Sequence, residues 1–329
     1  MTGISNAVRY TLAGVMALAP AYGVSAQEAF KSFKQLNSTT KMPKLSAFSA
    51  TGAGPAGVMA KDVVLEAKLT ANDEPMEEGL TWRVFSPISG EDGKLPLLAS
   101  AEGGAAAFQL MPGDYFVNVA FGRAGVTKKL TVPTEGDVEK QVLVLDAGGV
   151  VLDAVSGSDA PIPGSQLSFS IYSSEVRDDG ERGLLMANVK PDTIVRLNAG
   201  TYHVVSEYGD VNAVVRADIQ LEAGKLIEAT LQHRAAEITL KLVSQEGGEA
   251  IADTAWSVLT AAGDIVNESV SAFSTMVLAE GDYLAIARNK DRIYQRSFSV
   301  KAAENMDVEV LMKEQPAEMG LLGTTELRN

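Results

Sequence analysis

One hexapeptide pattern, Leu-x-x-Gly-x-Tyr, occurs three times in this chain, and nothing else in it restricts the fold as strongly. The copies are Leu110-Met111-Pro112-Gly113-Asp114-Tyr115, Leu197-Asn198-Ala199-Gly200-Thr201-Tyr202 and Leu278-Ala279-Glu280-Gly281-Asp282-Tyr283. Each reads as a strand that ends at the Leu and a turn that the Gly permits without a β-carbon penalty. The following strand opens on a Tyr that buries its ring and bonds its hydroxyl to backbone near the turn. That is the arrangement of a tyrosine corner.

Two further landmarks keep step with the corners. Leu65, Leu152 and Leu240 lie in alternating apolar segments, and 17, 17 and 16 residues later come Trp82, Phe169 and Trp256. From those aromatics to the corner tyrosines the spacing is 33, 33 and 27 residues, so the corners recur with periods of 87 and 81. Period-two alternation continues past each corner, through Val117 and Val119, Val204, then Ala285 and Ala287. About seven short strands fit in each copy, the size of one small β-sandwich. A position filled by Trp, Phe and Trp in three copies is a core position rather than an exposed sugar platform. Phe116, Tyr208 and Tyr294 break the repeat and are therefore the aromatics expected at the surface.

The expected organisation is all-β, with sandwiches at 61–146, 147–233 and 234–313 and an aperiodic tail at 314–329. Strands abut at both boundaries, which predicts a semi-rigid rod. The repeats resemble bacterial extracytoplasmic immunoglobulin-like and prealbumin-like modules of the carboxypeptidase regulatory-like and collagen-adhesin B type. In these a Gly-Pro-Ile-like turn precedes one strand, here Asp159-Ala160-Pro161-Ile162, and Leu-x-x-Gly-x-Tyr opens another. The resemblance implies modules that serve as spacers, stalks, sugar-binding appendages or protein-docking surfaces. It implies no particular chemistry.

The N-terminus predicts export. Arg9 is followed by an uncharged, largely apolar run from Tyr10 to Val24, and Val24-Ser25-Ala26 offers the small residues a signal peptidase reads. Residues 1–26 read as a signal peptide with cleavage after Ala26, giving a periplasmic or secreted protein with no membrane span in the mature chain. The formal charge is −14, and since Arg9 is the only charge in 1–26, removing them leaves −15. That balance argues against nucleic acid and anionic lipid as partners of the body. There is no Cys, so disulfides and thiolate metal sites are excluded.

Residues 27–60 form a leader of different composition. Lys31, Lys34, Lys41 and Lys44 face only Glu28 before Leu45, and Phe30, Phe33 and Leu36 recur at helical spacing for barely two turns. The leader reads as flexible or partly helical. Phe30, Lys31, Phe33 and Lys34 form a candidate docking arm for an acidic partner or a membrane surface.

Signals for chemistry are few. Gly52-Ala53-Gly54-Pro55-Ala56-Gly57 matches a dinucleotide fingerprint, but strand periodicity, not a helix, follows it. Ser38-Thr39-Thr40-Lys41 matches Ser-x-x-Lys without its companion motifs. His203 and His233 are the only histidines; the first should point outward beside Tyr202, and the second sits between the second and third copies. Carboxylates gather at Asp73, Glu74, Glu77 and Glu78, at Glu91-Asp92, and at Asp178-Asp179-Gly180-Glu181. These read as solvated turns, with calcium there or at the joints as the alternative. No cofactor or catalytic residue is expected. The function that follows is a non-enzymatic envelope scaffold or adaptor binding another envelope protein; the alternative is a carbohydrate-binding or adhesin module, with polysaccharide as partner.

Overall fold

The computed structural model describes residues 59–313, and every described element but one short turn is a strand. The segment expected to be a signal peptide, most of the expected leader with its candidate docking arm, the two motif look-alikes and the tail after Lys313 lie outside the described residues.

The first set of strands is β1 (Lys61–Lys68), β2 (Leu80–Phe85), β3 (Leu97–Gly103), β4 (Ala106–Leu110), β5 (Gly113–Phe121), β6 (Ala124–Val132) and β7 (Gln141–Val144). They make two sheets, β4-β1-β7 and β3-β2-β5-β6, with β1 and β7 parallel and the remaining pairs antiparallel. Alternation decides which faces meet. Val63, Leu65 and Ala67 on β1 and Leu80, Trp82 and Val84 on β2 point inward, while their neighbours face water.

The second set repeats this plan with β8 (Ala147–Ser156), β9 (Ala160–Pro161), β10 (Leu167–Val176), β11 (Arg182–Val189), β12 (Val195–Asn198), β13 (Gly200–Tyr208), β14 (Ala213–Leu221) and β15 (Leu226–His233). Its sheets are β12-β8-β15 and β11-β10-β13-β14. The two-residue β9 pairs with β8, and a single 3-10 turn at Gly164–Gln166 leads into β10. The third set is β16 (Ala235–Val243), β17 (Ala255–Thr260), β18 (Ile265–Val270), β19 (Phe273–Ala279), β20 (Gly281–Asn289), β21 (Arg292–Val300) and β22 (Met306–Leu311), in sheets β19-β16-β22 and β18-β17-β20-β21.

Three hydrophobic clusters join these six sheets two by two. Trp82, Phe169 and Trp256 each sit at the centre of one cluster, at most 1% exposed, opposite Val119, Ser206 and Ala287 on the neighbouring strand. The indole N–H of Trp82 donates to Gly104 O at 2.8 Å and that of Trp256 to Ser271 O at 3.0 Å. Phe169 fills the same place without needing an acceptor, as buried polar groups otherwise do.

Two of the three aromatics expected at the surface are buried instead. Tyr208 is 5% exposed and Tyr294 3%. Both have the parity of inward residues: Tyr208 follows Val204 and Ser206 on β13, and Tyr294 precedes Phe298 and Val300 on β21. Departing from the repeat changed their size, not their face. Phe116 has the opposite parity and is half-buried on the outward face.

Candidate functional site

The structure offers repeated joints rather than a cleft. They form where the hairpin tips six residues beyond the first two corner tyrosines meet the following set. The hydroxyls of Tyr115, Tyr202 and Tyr283 donate to Met111 O, Asn198 O and Ala279 O at 2.8, 2.7 and 2.8 Å. Gly113, Gly200 and Gly281 adopt φ of +153°, +155° and +158°, a conformation that residues with a β-carbon rarely adopt. Burial raises the hydroxyl pKa of Tyr115 and Tyr202 above its ordinary value.

At the first joint, the β5–β6 hairpin tip lies against β12. Arg123 N donates to Arg196 O at 3.0 Å, and Gly125 N to Asn198 Oδ1 at 3.1 Å. Asn198 Nδ2 in turn donates to Leu145 O at 2.7 Å. The Arg196 guanidinium lies 4.6 Å from the centroid of the Phe121 ring, and burial lowers its pKa. A β-carbon on Gly122, which has φ +65°, would meet Arg196 Cβ at 3.0 Å.

The second joint repeats the plan one period on. The β13–β14 tip lies against β19. Ala279 N donates to Asn212 Oδ1 and Asn212 Nδ2 donates to the Tyr283 hydroxyl, both at 2.9 Å. Gly209, at φ +69°, approaches so closely that a β-carbon there would sit 2.7 Å from Val277 Cβ. Ser156 Oγ donates to Ala235 O at 2.6 Å, Gly157 N to His233 O at 3.0 Å, and Gln166 Nε2 to Glu237 Oε2 at 2.5 Å. Val277 and Ala235 pack into the core of the second set, and Val211 into that of the third. The tip position itself reads Phe121, Tyr208 and Asn289. Asn289 is buried and spends its amide on Ala252 O and Asp253 O of its own set, at 2.9 and 3.3 Å.

The two histidines are not brought together. His203 faces outward on β13, where its Nδ1 lies 2.7 Å from Asp218 Oδ1. His233, on β15, is 1% exposed, with Nε2 2.8 Å from Ser206 Oγ and the Tyr208 ring edge-on at 5.9 Å. Burial lowers its pKa to about 4. The sequence located His233 at a boundary but did not mark it as interior. The signal was there, because His233 shares parity with Leu231.

The acidic clusters lie on turns. Asp73 accepts from Thr70 N and Oγ1 at 3.1 and 2.9 Å, Asp92 Oδ1 from Lys94 N at 3.1 Å, and Asp179 Oδ1 from Glu181 N at 2.9 Å. Among the described residues no three His, Asp or Glu converge as a metal site would require. A shallow depression of about 450 Å³ on the third set is floored by Leu259 and Leu284 and edged by Thr260, Asp282, Ser297 and Ser299. Its one carboxylate, Asp282, accepts a hydrogen bond from Ser299 Oγ at 2.5 Å.

Residues 237–312 match the sequence model of a family described as the Rhizobiales growth-associated tandem repeat domain. No curated protein matches the chain. Among solved structures, similarity is found to a Streptococcal ancillary pilin, at 14% identity over 78% of this chain and 100% of that one, with a TM-score of 0.28. The TIE protein of Bacillus anthracis is 16% identical over 78% of this chain and 51% of its own, with a TM-score of 0.21, so this chain spans about half its length. BcpA, the major pilin subunit of Bacillus cereus, is 11% identical over 78% and 100% of the two chains, with a TM-score of 0.22.

Proposed function

We propose that this chain is an exported, non-enzymatic protein of the bacterial cell envelope. In this reading three immunoglobulin-like or prealbumin-like sandwiches, at 61–146, 147–233 and 234–313, form a semi-rigid scaffold that engages another envelope protein. The observation that carries it is the repeated joint. The first two hairpin tips reach the next set through hydrogen bonds that involve backbone and Asn side chains, and glycines allow the close approach. A chain needing only flexible spacing has no use for such contacts. The match of the third set to a tandem-repeat family supports the repeat reading. The leader, with Phe30, Lys31, Phe33 and Lys34, is the proposed docking arm, and its basic character suits an acidic partner.

The test combines stiffness with capture. The chain has no Cys, so spin labels on engineered cysteines at Thr127 and Gln295 report the separation of the first and third sets cleanly. A narrow distance distribution is expected, and a broad one overturns the scaffold reading. Photo-crosslinkers placed along the leader in living cells should capture one discrete envelope protein. Retention on polysaccharide without protein capture hands the function to the carbohydrate-binding alternative.

A further inference from the structure

The equivalent end of each core is closed differently in the middle set. In the first set Val119 and Leu145 occupy it, and in the third Ala287 and Met312. The middle set places Ser206 and His233 at these two positions, both buried and hydrogen-bonded to each other at 2.8 Å. A paired polar replacement inside an apolar core is self-consistent only as a pair, since either group alone would lack its partner.

The third set roofs this end of the core: Ala235 of β16, two residues beyond His233, and Val277 of β19 both pack into the cluster of the second set. The polar and charged groups around it are few. Tyr208 of β13 stands edge-on to the imidazole. Ser156 of β8 is committed to Ala235 O, Glu237 of β16 to Gln166, and Arg234 to Glu280 at 2.5 Å. Among the described residues no carboxylate lies within ion-pair range of His233. A proton on the imidazole would therefore be an uncompensated buried charge as long as the roof is closed.

We propose that the Ser206–His233 pair makes the joint between the second and third sets an acid-responsive hinge, closed while the imidazole is neutral and released when it binds a proton. Opening lifts Ala235 and Val277 away and gives the imidazole water. The closed joint excludes the proton down to a pH of about 4, against 6.5 for the solvated group. Proton binding thus favours the open form as pH falls below 6.5, and the bias saturates below the closed-state value. From these two values opening gains about 20-fold at pH 5 relative to pH 7, rising towards about 240-fold in stronger acid. The first joint has no titratable group in the equivalent place and serves as an internal control.

The experiment measures label-to-label distances in the full chain. Arg216→Cys with Gln295→Cys spans the second joint, and Thr127→Cys with Arg216→Cys spans the first; all three positions are exposed. Between about pH 7.5 and 4.5, across the range where histidine titrates, the second-joint distribution should broaden reversibly and the first should hold. Replacing the pair by the residues of the first set, Ser206→Val with His233→Leu, should abolish the response, as should the uncharged His233→Gln if the double variant folds poorly. His203→Gln should leave the response intact. Equal movement at both joints, a response that survives loss of His233, or a fixed second joint at pH 4.5 overturns the hinge. The narrow distance expected at neutral pH belongs to the scaffold reading and is judged separately.

Discussion

The three corner tyrosines make identical intramolecular bonds, but only one of them also holds a joint. Tyr115 and Tyr202 each donate one hydrogen bond to a carbonyl four residues back. Tyr283 does the same and in addition accepts from Asn212 Nδ2 at 2.9 Å. Replacing Tyr by Phe keeps the ring, so the difference between sites isolates the hydroxyl. Tyr115→Phe and Tyr202→Phe each remove one neutral hydrogen bond and should cost about 1 kcal/mol. Tyr283→Phe also leaves the Asn212 amide without its acceptor and should cost about 2 kcal/mol. In a unit of this size that corresponds to Tm losses of about 4–8 °C for the first two and about twice that for the third. Urea titration of the full chain, with hydrogen exchange of each core to assign the transition, reads these values. A double-mutant cycle sharpens the comparison: Asn212→Ala should couple to Tyr283→Phe by about 1 kcal/mol and to Tyr115→Phe not at all. Equal losses at all three tyrosines, or no coupling between 212 and 283, would refute the claim that Asn212 fastens the second joint through that hydroxyl.

The aromatic core position gives a second comparison. Trp82→Phe and Trp256→Phe should each cost about 1–3 kcal/mol in urea, since they orphan Gly104 O or Ser271 O and leave a void. Phe169→Trp should also destabilise, by about 1–3 kcal/mol, because it overfills its core. At Gly148 a β-carbon would lie 2.4 Å from Glu222 O and 2.9 Å from Lys225 O, so Gly148→Ala must push the β14–β15 turn outward; a loss of about 2 kcal/mol and faster exchange at Gly224 are expected. N-terminal sequencing of exported protein should begin at Gln27, and an uncleaved Met1 or retention in the cytosol would remove the export reading.

Much of the architecture was legible because burial in a sandwich is written at period two and the period was written three times. Leu65, Trp82 and Tyr115 could be paired with their counterparts before any strand was placed, and the strands lie where those landmarks put them. What escaped was decided between copies. Tyr208 and Tyr294 depart from the repeat in side chain but not in parity, and a break in the repeat does not mark exposure. Asn212, Gly209 and Arg196 look like ordinary loop and edge residues within their own copy, and only contact with the neighbour gives them a role. Ser206 was hidden for the same reason: a serine in an inward slot makes sense only once His233, 27 residues later, is seen beside it.

The hairpin tips also bear on how such an array can grow. Phe121 and Tyr208 place a ring at a tip that packs against the next set, whereas Asn289 folds its amide back onto Ala252 O and Asp253 O, and the residues just beyond it are exposed. A tip of that kind offers a newcomer neither an aromatic anchor nor a glycine to lean on. Among the described sets, the middle one alone carries both a receiving strand and a reaching tip, so a second copy of it could be inserted in series without inventing a new kind of joint.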